Sequence, residues 1–508
     1  MIPLENRTKT IAIIGGGISG IVTCKESLAT GVLLPTVFEK SEGFGGIWNN
    51  DPKYGRTWTS VRTNISKYSC MFSDFPHGNY VKEGQDFLDT DQVHQYLQEY
   101  IDHFNLFDHF KFQTLVTSAR YIDNEAKWSI TYSNVKTGES KTENFDFLIV
   151  ASGVHTVPSK EELQGVDLET FKKDGGKILH SVSYKSSENL KDNRVLVVGN
   201  SNSGCDIVND LCKQNTATYH YFKRPYWIIP RYLNVGKTLP IDSVIFNRSS
   251  QAQSLARTPL ERNKYDNAFF SSQIPLQVKL ESVRISEDQH VEYHPVCISD
   301  TYLENLKESK FKAITSKEPN LHQIITNEKI DTIVLSHGFN CDLSYLSDDV
   351  LSTIKFQPDN YQVVILYKEC IPPRSIKQMG FVGLYKGTYF PSIELQARMI
   401  TMMFVGQLPY PSDEEMEKGL KEEEDIRYAE PKRMFPHVDY VDFTDGIARV
   451  VGALPDMKQL ETTNPELYQK IYLAPHNAAS YRLVGPHSNP EQAEKMINHF
   501  IADINSRK

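Results

Sequence analysis

The stretch IAIIGGGISGIVTCKESL, residues 11–28, decides the reading of this chain. A short apolar run rich in Ile meets a glycine turn, and a helical pattern follows at once. Gly15, Gly17 and Gly20 satisfy G-x-G-x-x-G in the strand–turn–helix setting that makes the motif a dinucleotide signature. In such a turn the first glycine allows a sharp reversal and the second lets backbone approach a pyrophosphate. The third lets the helix pack on the strand. Exposed N–H groups and the helix dipole then favour the phosphate charge.

The pattern returns at VLVVGNSNSGCDIVNDL, residues 195–211, through Gly199, Ser201 and Gly204. The residue ending the next strand decides which ribose each turn accepts. Glu39 stands 24 positions beyond Gly15, and a carboxylate there binds ribose hydroxyls while repelling a 2′-phosphate. The same offset from Gly199 falls on Lys223, with Arg224 next to it. Two cations and no acid suit a 2′-phosphate, to which Arg can form bidentate charged hydrogen bonds. The first turn is therefore expected to hold an adenosine without 2′-phosphate, and the second NADPH.

At 508 residues the chain has room for two or three domains. Its net charge of −9, with both signs well mixed, gives no reason to expect a nucleic-acid partner. No run of eighteen apolar residues suggests a membrane span, and MIPLENRTKT lacks the apolar core of a signal peptide. Seven cysteines are scattered without a C-x-x-C pair, which fits a cytoplasmic location and opposes a metal cluster. It also opposes a disulfide reductase, which needs a redox cysteine pair beside its flavin.

Further along, DTDQVHQYLQEYIDHFNL has helical periodicity with an Asp/Thr start, and KWSITYSNVKTGESKTENF alternates like a hairpin. FDFLIVASG (145–153) reads as a buried strand ending beside a nucleotide, and KIDTIVLSHGFNCDLSYL (329–346) echoes it. The expected fold is α/β, with two Rossmann-like dinucleotide-binding domains and the NADPH domain inserted in the FAD domain. The first would comprise residues 1–166 and 332–508, and the second 167–331 with a polar insertion at about 232–290. EEMEKGLKEEEDIRYAEPKR reads as a solvated, charged helix followed by a Pro-containing connector.

These motifs together resemble the class B flavin-containing monooxygenases, of the dimethylaniline-monooxygenase type, over nearly the whole chain. FEKSEGFGGIWN (38–49) is similar to the family's FAD segment, with Gly46, Ile47 and Trp48 over the flavin. SVRTNISKYSCMFSDFPH (60–77) resembles its T-N-x-x-K … F-S-D-F-P block, ELQARMI (394–400) its late E-x-Q-A-R helix, and YRLVGPH (481–487) its near-terminal motif. The chain departs from the pattern in three places. In FKKDGGKILHSVSY the identifying segment keeps Gly176, His180 and Tyr184 but has Asp174 for the expected Phe, with Phe171 the nearest. The late A-T-G-Y reads SHGF (336–339), and Ser201 replaces the middle glycine of the second turn.

The resemblance implies FAD and NADPH as cofactors, with O2 and a small-molecule substrate as partners and a homodimer as the assembly. NADPH would reduce FAD, NADP+ would stay bound, and a C4a-hydroperoxyflavin would oxygenate N- or S-containing soft nucleophiles. Asn64 would be the catalytic residue, an amide guarding the peroxide without charge. Ile18, Ser19, Lys40, Thr63, Val116, Asn202, Ser203 and Gln396 complete the cofactor-binding set. The cofactor carries the hard chemistry, so no side-chain nucleophile is expected. Three alternatives stay open: a Baeyer–Villiger monooxygenase acting on ketones, an uncoupled NADPH oxidase, and a flavin-binding scaffold without turnover.

Overall fold

The computed structural model describes residues 8–507 apart from 52, 161, 215, 316–319, 386, 388 and 432–439. Residues 1–7 and 432–433 of the stretches read above lie outside the described residues. Each glycine turn follows the central strand of its own parallel sheet. In the first sheet the order is Met379–Phe381, Phe147–Val150, Lys9–Ile14, Leu33–Phe38 and Phe110–Lys111. In the second it is Phe311–Thr315, Ala217–Phe222, Arg194–Val198, Thr332–Leu335 and Lys177–His180. Lys9–Ile14 and Arg194–Val198 each pair in parallel on both sides, so each sheet reverses its winding there. The carboxyl ends of such strands open a crevice, which is where ligands bind in open α/β sheets.

The two-unit fold is thus the expected one, with one boundary moved. Strand Thr332–Leu335 pairs with Arg194–Val198 in the second sheet, so residue 332 does not begin the return to the first. The chain crosses back at Phe339–Asn340, antiparallel to the outgoing Val157–Pro158, and rejoins the first sheet at Met379–Phe381. Hydrophobicity alone could not tell these strands apart, because both sheets bury TIVL-type runs on two faces.

One face of the first sheet carries helices Ile18–Ala29, Phe390–Phe404 and Tyr440–Val451. The other carries the antiparallel strands Thr114–Ile122, Lys127–Asn134 and Ser140–Phe145, whose Trp128 and Ile130 pack with Ala12 and Ile14. Helix Thr90–His103 starts at Asp89 with a reciprocal capping box to Gln92, as its sequence predicts.

The stretch 232–290, expected as a polar insertion, holds four α-helices, among them Arg248–Leu255 and Pro259–Gln273. Thr258 and Glu261 form a capping box with Pro259 at the first helical position, a start signal that was present in the sequence. Its apolar residues Phe270, Ile274, Val283 and Ile285 join Trp227 and Ile228 in the second unit's core. The segment also clamps the first unit. Asp242 accepts hydrogen bonds from Ser66 N (3.0 Å), Ser66 Oγ (2.7 Å) and Ser69 Oγ (2.6 Å), and Arg248 pairs with Asp445.

The near-terminal Arg482 is 3% exposed and sits among Glu26, Asp74 and Glu394, with Lys25 bridging the first two. These three carboxylates converge closely enough for a metal, yet two cations already compensate them. Burial alone would raise the Glu26 carboxyl, but Lys25, Arg482 and His487 outweigh it and hold it well below the carboxylate range. Asp74 is lowered in the same way, against its own burial, chiefly by Lys25 and Arg482. Depressed native values mean that this stability is complete above the unfolded carboxylate range and is lost as pH falls through the native values. Arg482→Met strands buried negative charge and is expected to cost about 3–5 kcal/mol. Thermal unfolding as a function of pH checks this, with a lower midpoint temperature at neutral pH and a deficit that shrinks as pH falls through the carboxylate range.

Candidate active site: two dinucleotide cavities and a shared centre

At the first turn the three glycines do three different jobs. Gly15 has φ +111°, and a Cβ there would lie 2.6 Å from the Ala151 carbonyl oxygen. A Cβ on Gly20 would lie 1.8 Å from the Gly15 carbonyl oxygen, so Gly20 serves helix packing rather than ligand contact. Gly17 is the helix N-cap, has no side chain to cap the helix, and faces Gly46 of the neighbouring loop. The free N–H groups of this helix start are left for an anion.

Glu39 is buried where its strand ends. Its Oε2 accepts from Gly16 N at 2.7 Å, and its Oε1 accepts from Ser41 N and Ser41 Oγ, each at 2.7 Å. One lone pair on Oε2 remains for a ribose hydroxyl. Gly15, Gly17, Ile18, Ser19, Glu39, Lys40, Gly46 and Ile47 line one cavity of about 210 Å³ with Ala151–Thr156.

Two expected members lie elsewhere. Val116 is buried against the sheet with Phe38 and Val154, and does not line this cavity. Gln396 is fully buried and acts one step back: its Oε1 accepts from Gly383 N at 2.9 Å, and its Nε2 donates to Lys368 O at 3.1 Å. It therefore fixes Gly383, which does line the cavity.

The second turn opens on a cavity of about 1040 Å³ lined by Gly199, Ser201, Lys223 and Arg224. His337 of the SHGF segment lines it too, as does Lys160, which a connection outside the quoted motifs brings in. Gly199 has φ +114°, a Cβ there would lie 2.5 Å from the Ser336 carbonyl oxygen, and a Cβ on Gly204 would meet the Gly199 carbonyl as one on Gly20 would meet that of Gly15. The Ser201 hydroxyl donates to Ser336 O at 3.3 Å, so the SHGF segment and the altered glycine turn are bonded to each other. Asn202 is anchored as well, accepting from Ile298 N at 2.8 Å. Asn200 Nδ2 donates to Arg224 O at 3.2 Å and ties the turn to the cationic strand end. Phe171, displaced from its expected place, lays its ring where a Cβ of Gly176 would fall.

Between these two lies a central cavity of about 400 Å³. Ile18, Ile47, Trp48, Thr63 and Asn64 reach it from the first unit, and Ser201, Asn202 and Ser203 from the second. The loop carrying Asn64 is fixed by the second unit: Arg231 Nε donates to Thr63 O at 3.0 Å and its Nη2 to Arg62 O at 3.3 Å. The Thr63 hydroxyl accepts from Leu88 N. Asn64 Oδ1 is buried with no hydrogen-bond partner among the described residues. Arg56, not foreseen, lies over the Phe339 ring and donates from Nη2 to Thr156 O, while its buried Nη1 has no partner among the described residues.

Two glycine cradles, an acid at one strand end, cations at the other and orphaned polar atoms between them fit two dinucleotides meeting at their reactive ends. That arrangement defines a two-dinucleotide flavoprotein. Residues 8–500 match the family described as Flavin-binding monooxygenase-like. Human "Flavin-containing monooxygenase 2" is 30% identical over 498 residues, covering 94% of this chain and 89% of the relative. The chimpanzee "Dimethylaniline monooxygenase [N-oxide-forming] 2" matches to the same extent. Among solved structures, the S-allyl-L-cysteine S-oxygenase of Allium sativum superposes with a TM-score of 0.60 at 19% identity, covering 97% of this chain and 99% of its own. The NADP+-bound cyclohexanone monooxygenase of Rhodococcus sp. Phi1 has a TM-score of 0.59 at 16% identity, over 88% and 98%. The chain belongs to the flavin-binding monooxygenase-like family, and is an NADPH-dependent flavin monooxygenase that uses FAD.

Arg224→Ala is expected to raise the Michaelis constant for NADPH roughly tenfold or more, the loss of one charge-assisted hydrogen bond, while NADH kinetics barely change. Steady-state kinetics with both nucleotides check it. Because Gly17 lies against Gly46 beside the first cavity, Gly17→Leu is expected to leave the purified protein without bound flavin, read from its visible spectrum.

Proposed function

We propose that this enzyme oxygenates soft nucleophiles, namely small molecules with an exposed amine nitrogen or sulfur. The first turn and Glu39 hold FAD, and the second turn with Lys223 and Arg224 holds NADPH. Bound FAD supplies the oxygen-activating chemistry as a C4a-hydroperoxyflavin, and NADPH supplies the electrons. The protein's part is to orient both rings and keep water away from them. Ile18, Ile47, Trp48, Trp58 and Phe390 give the central cavity its apolar wall.

Asn64 carries the proposal. Its amide oxygen is buried at the junction of the two cofactor cavities and has no partner among the described residues, and its loop is pinned by Arg231. An amide can donate and accept there without bringing a charge. The names of the relatives point the same way, one to N-oxide formation and one to S-oxygenation. Seven free, buried cysteines support a cytoplasmic location for this chemistry.

Asn64→Asp is the test. A carboxylate beside the oxygen-bearing flavin disfavours the intermediate. Flavin reduction by NADPH should stay within about twofold, while the share of NADPH ending as hydrogen peroxide rises several-fold. Anaerobic stopped-flow reduction and peroxide release with an amine and a sulfide separate the two effects. An unchanged product-to-peroxide ratio would remove Asn64 from the reaction.

A further inference from the structure

The three cavities share corners in a way that fixes the direction of each cofactor. Ser201 and Gly338 line both the large cavity beside Lys223 and Arg224 and the central one. A dinucleotide with its 2′-phosphate at Arg224 and its pyrophosphate at the Gly199 turn therefore sends its nicotinamide end into the central cavity. Ile18, Ile47 and Arg56 line both the central cavity and the FAD-side cavity, so the flavin end arrives from the opposite side.

Asp206 is the one carboxylic acid among the described residues lining the central cavity. It lies on helix Asn202–Lys213, one turn beyond Asn202. Acids close to it are committed: Asp210 accepts from Tyr184 Oη at 2.7 Å and Ser187 N at 3.1 Å, and Asp300 pairs with Arg231 at 3.0 Å. Among the described residues no hydrogen bond or ion pair at bonding distance engages the Asp206 carboxyl group.

We propose that Asp206 is the counter-charge of the oxidised nicotinamide, holding NADP+ when ionised and accommodating the neutral ring of NADPH when protonated. The inference rests on the second turn being the NADPH site. It goes further by assigning a residue that reads the oxidation state of the ring rather than the 2′-phosphate. Loss of hydride leaves a positive charge on the nicotinamide, and a charge pair in an apolar cavity interacts far more strongly than one in water. Burial raises the Asp206 carboxyl to about 7; Arg231 and Lys213 pull it down, while Asp300 and Asp210 push it up. Cys297 packs nearby as a thiol that burial keeps neutral. Arg56, Arg62 and His155 line the same cavity, and Arg231 is held by Asp300 and the Thr63 and Arg62 carbonyls. The ionised form binds the cation, so NADP+ affinity increases as pH rises through neutrality, and binding releases a proton.

The experiment titrates the oxidised, FAD-loaded enzyme with NADP+ and, separately, with 2′,5′-ADP, which has the 2′-phosphate but no nicotinamide. Calorimetry between about pH 6 and 8, in two buffers of different ionisation enthalpy, reads affinity and linked protons together. NADP+ should gain roughly tenfold in affinity relative to 2′,5′-ADP across that range, with proton release beyond that seen for 2′,5′-ADP. Asp206→Asn should abolish both differences and leave 2′,5′-ADP binding within about twofold, and Asp206→Glu should restore them. Extra proton release persisting in Asp206→Asn, or equal weakening of both ligands, would overturn the proposal. A wild-type enzyme that binds neither ligand would instead refute the NADPH assignment of the second turn, and this inference with it.

Discussion

The loop that carries Asn64 belongs to the first unit but is held in place by the second. Arg231 donates to the carbonyls of Thr63 and Arg62 just before Asn64, and Asp242 accepts from Ser66 and Ser69 just after it. Backbone and hydroxyl groups at this depth need partners, and an unmet one costs about 1–3 kcal/mol. Asp242 is fully buried, and its carboxyl is raised by that burial even though hydrogen bonds from Ser69, Ser66 and its own backbone act to lower it. The loop is thus held on both flanks by the second unit, and residues of both units line the central cavity.

The same dependence explains what was legible in the sequence and what was not. Gly15, Gly17, Glu39, Gly199, Lys223 and Arg224 could be read because a strand, a tight turn and a helix fix their relation within a few dozen residues. Arg56 and Lys160 could not, because distant segments bring them to the cavities; Asp206 stood inside the second turn's own stretch, but nothing local showed that it would face the central cavity. Val116 and Gln396 were placed by resemblance alone; the first packs in the core and the second supports a turn from behind. The helices of 232–290 escaped notice because their apolar residues do not form one clean stripe. Their burial depends on Trp227 and Ile228, which propensity cannot foresee. The strand at 332–335 was recognised as a strand and assigned to the wrong sheet, since two parallel sheets ask for the same residues.

Two of the three departures from the family pattern, Ser201 and the SHGF segment, are tied into their surroundings. Ser201 spends its hydroxyl on Ser336, the first residue of the altered SHGF segment, so the added Cβ comes with a tether. Phe339, the last residue of that segment, lies against His155, His180 and Arg56 at the crossing between the units. The aromatic ring gives Arg56 a face to rest on while its Nη1 has no acceptor among the described residues.

The antiparallel crossing of Val157–Pro158 and Phe339–Asn340 has a consequence for how the chain is made. It brings the two ends of the inserted unit side by side, so the host closes around it as around a hairpin. The second sheet has all its strands once residue 335 has been synthesised, whereas the first lacks its edge strand until Met379–Phe381 emerges. On the ribosome the inserted unit therefore completes its sheet before its host does, and the host's sheet gains its last edge only after the insert has been made.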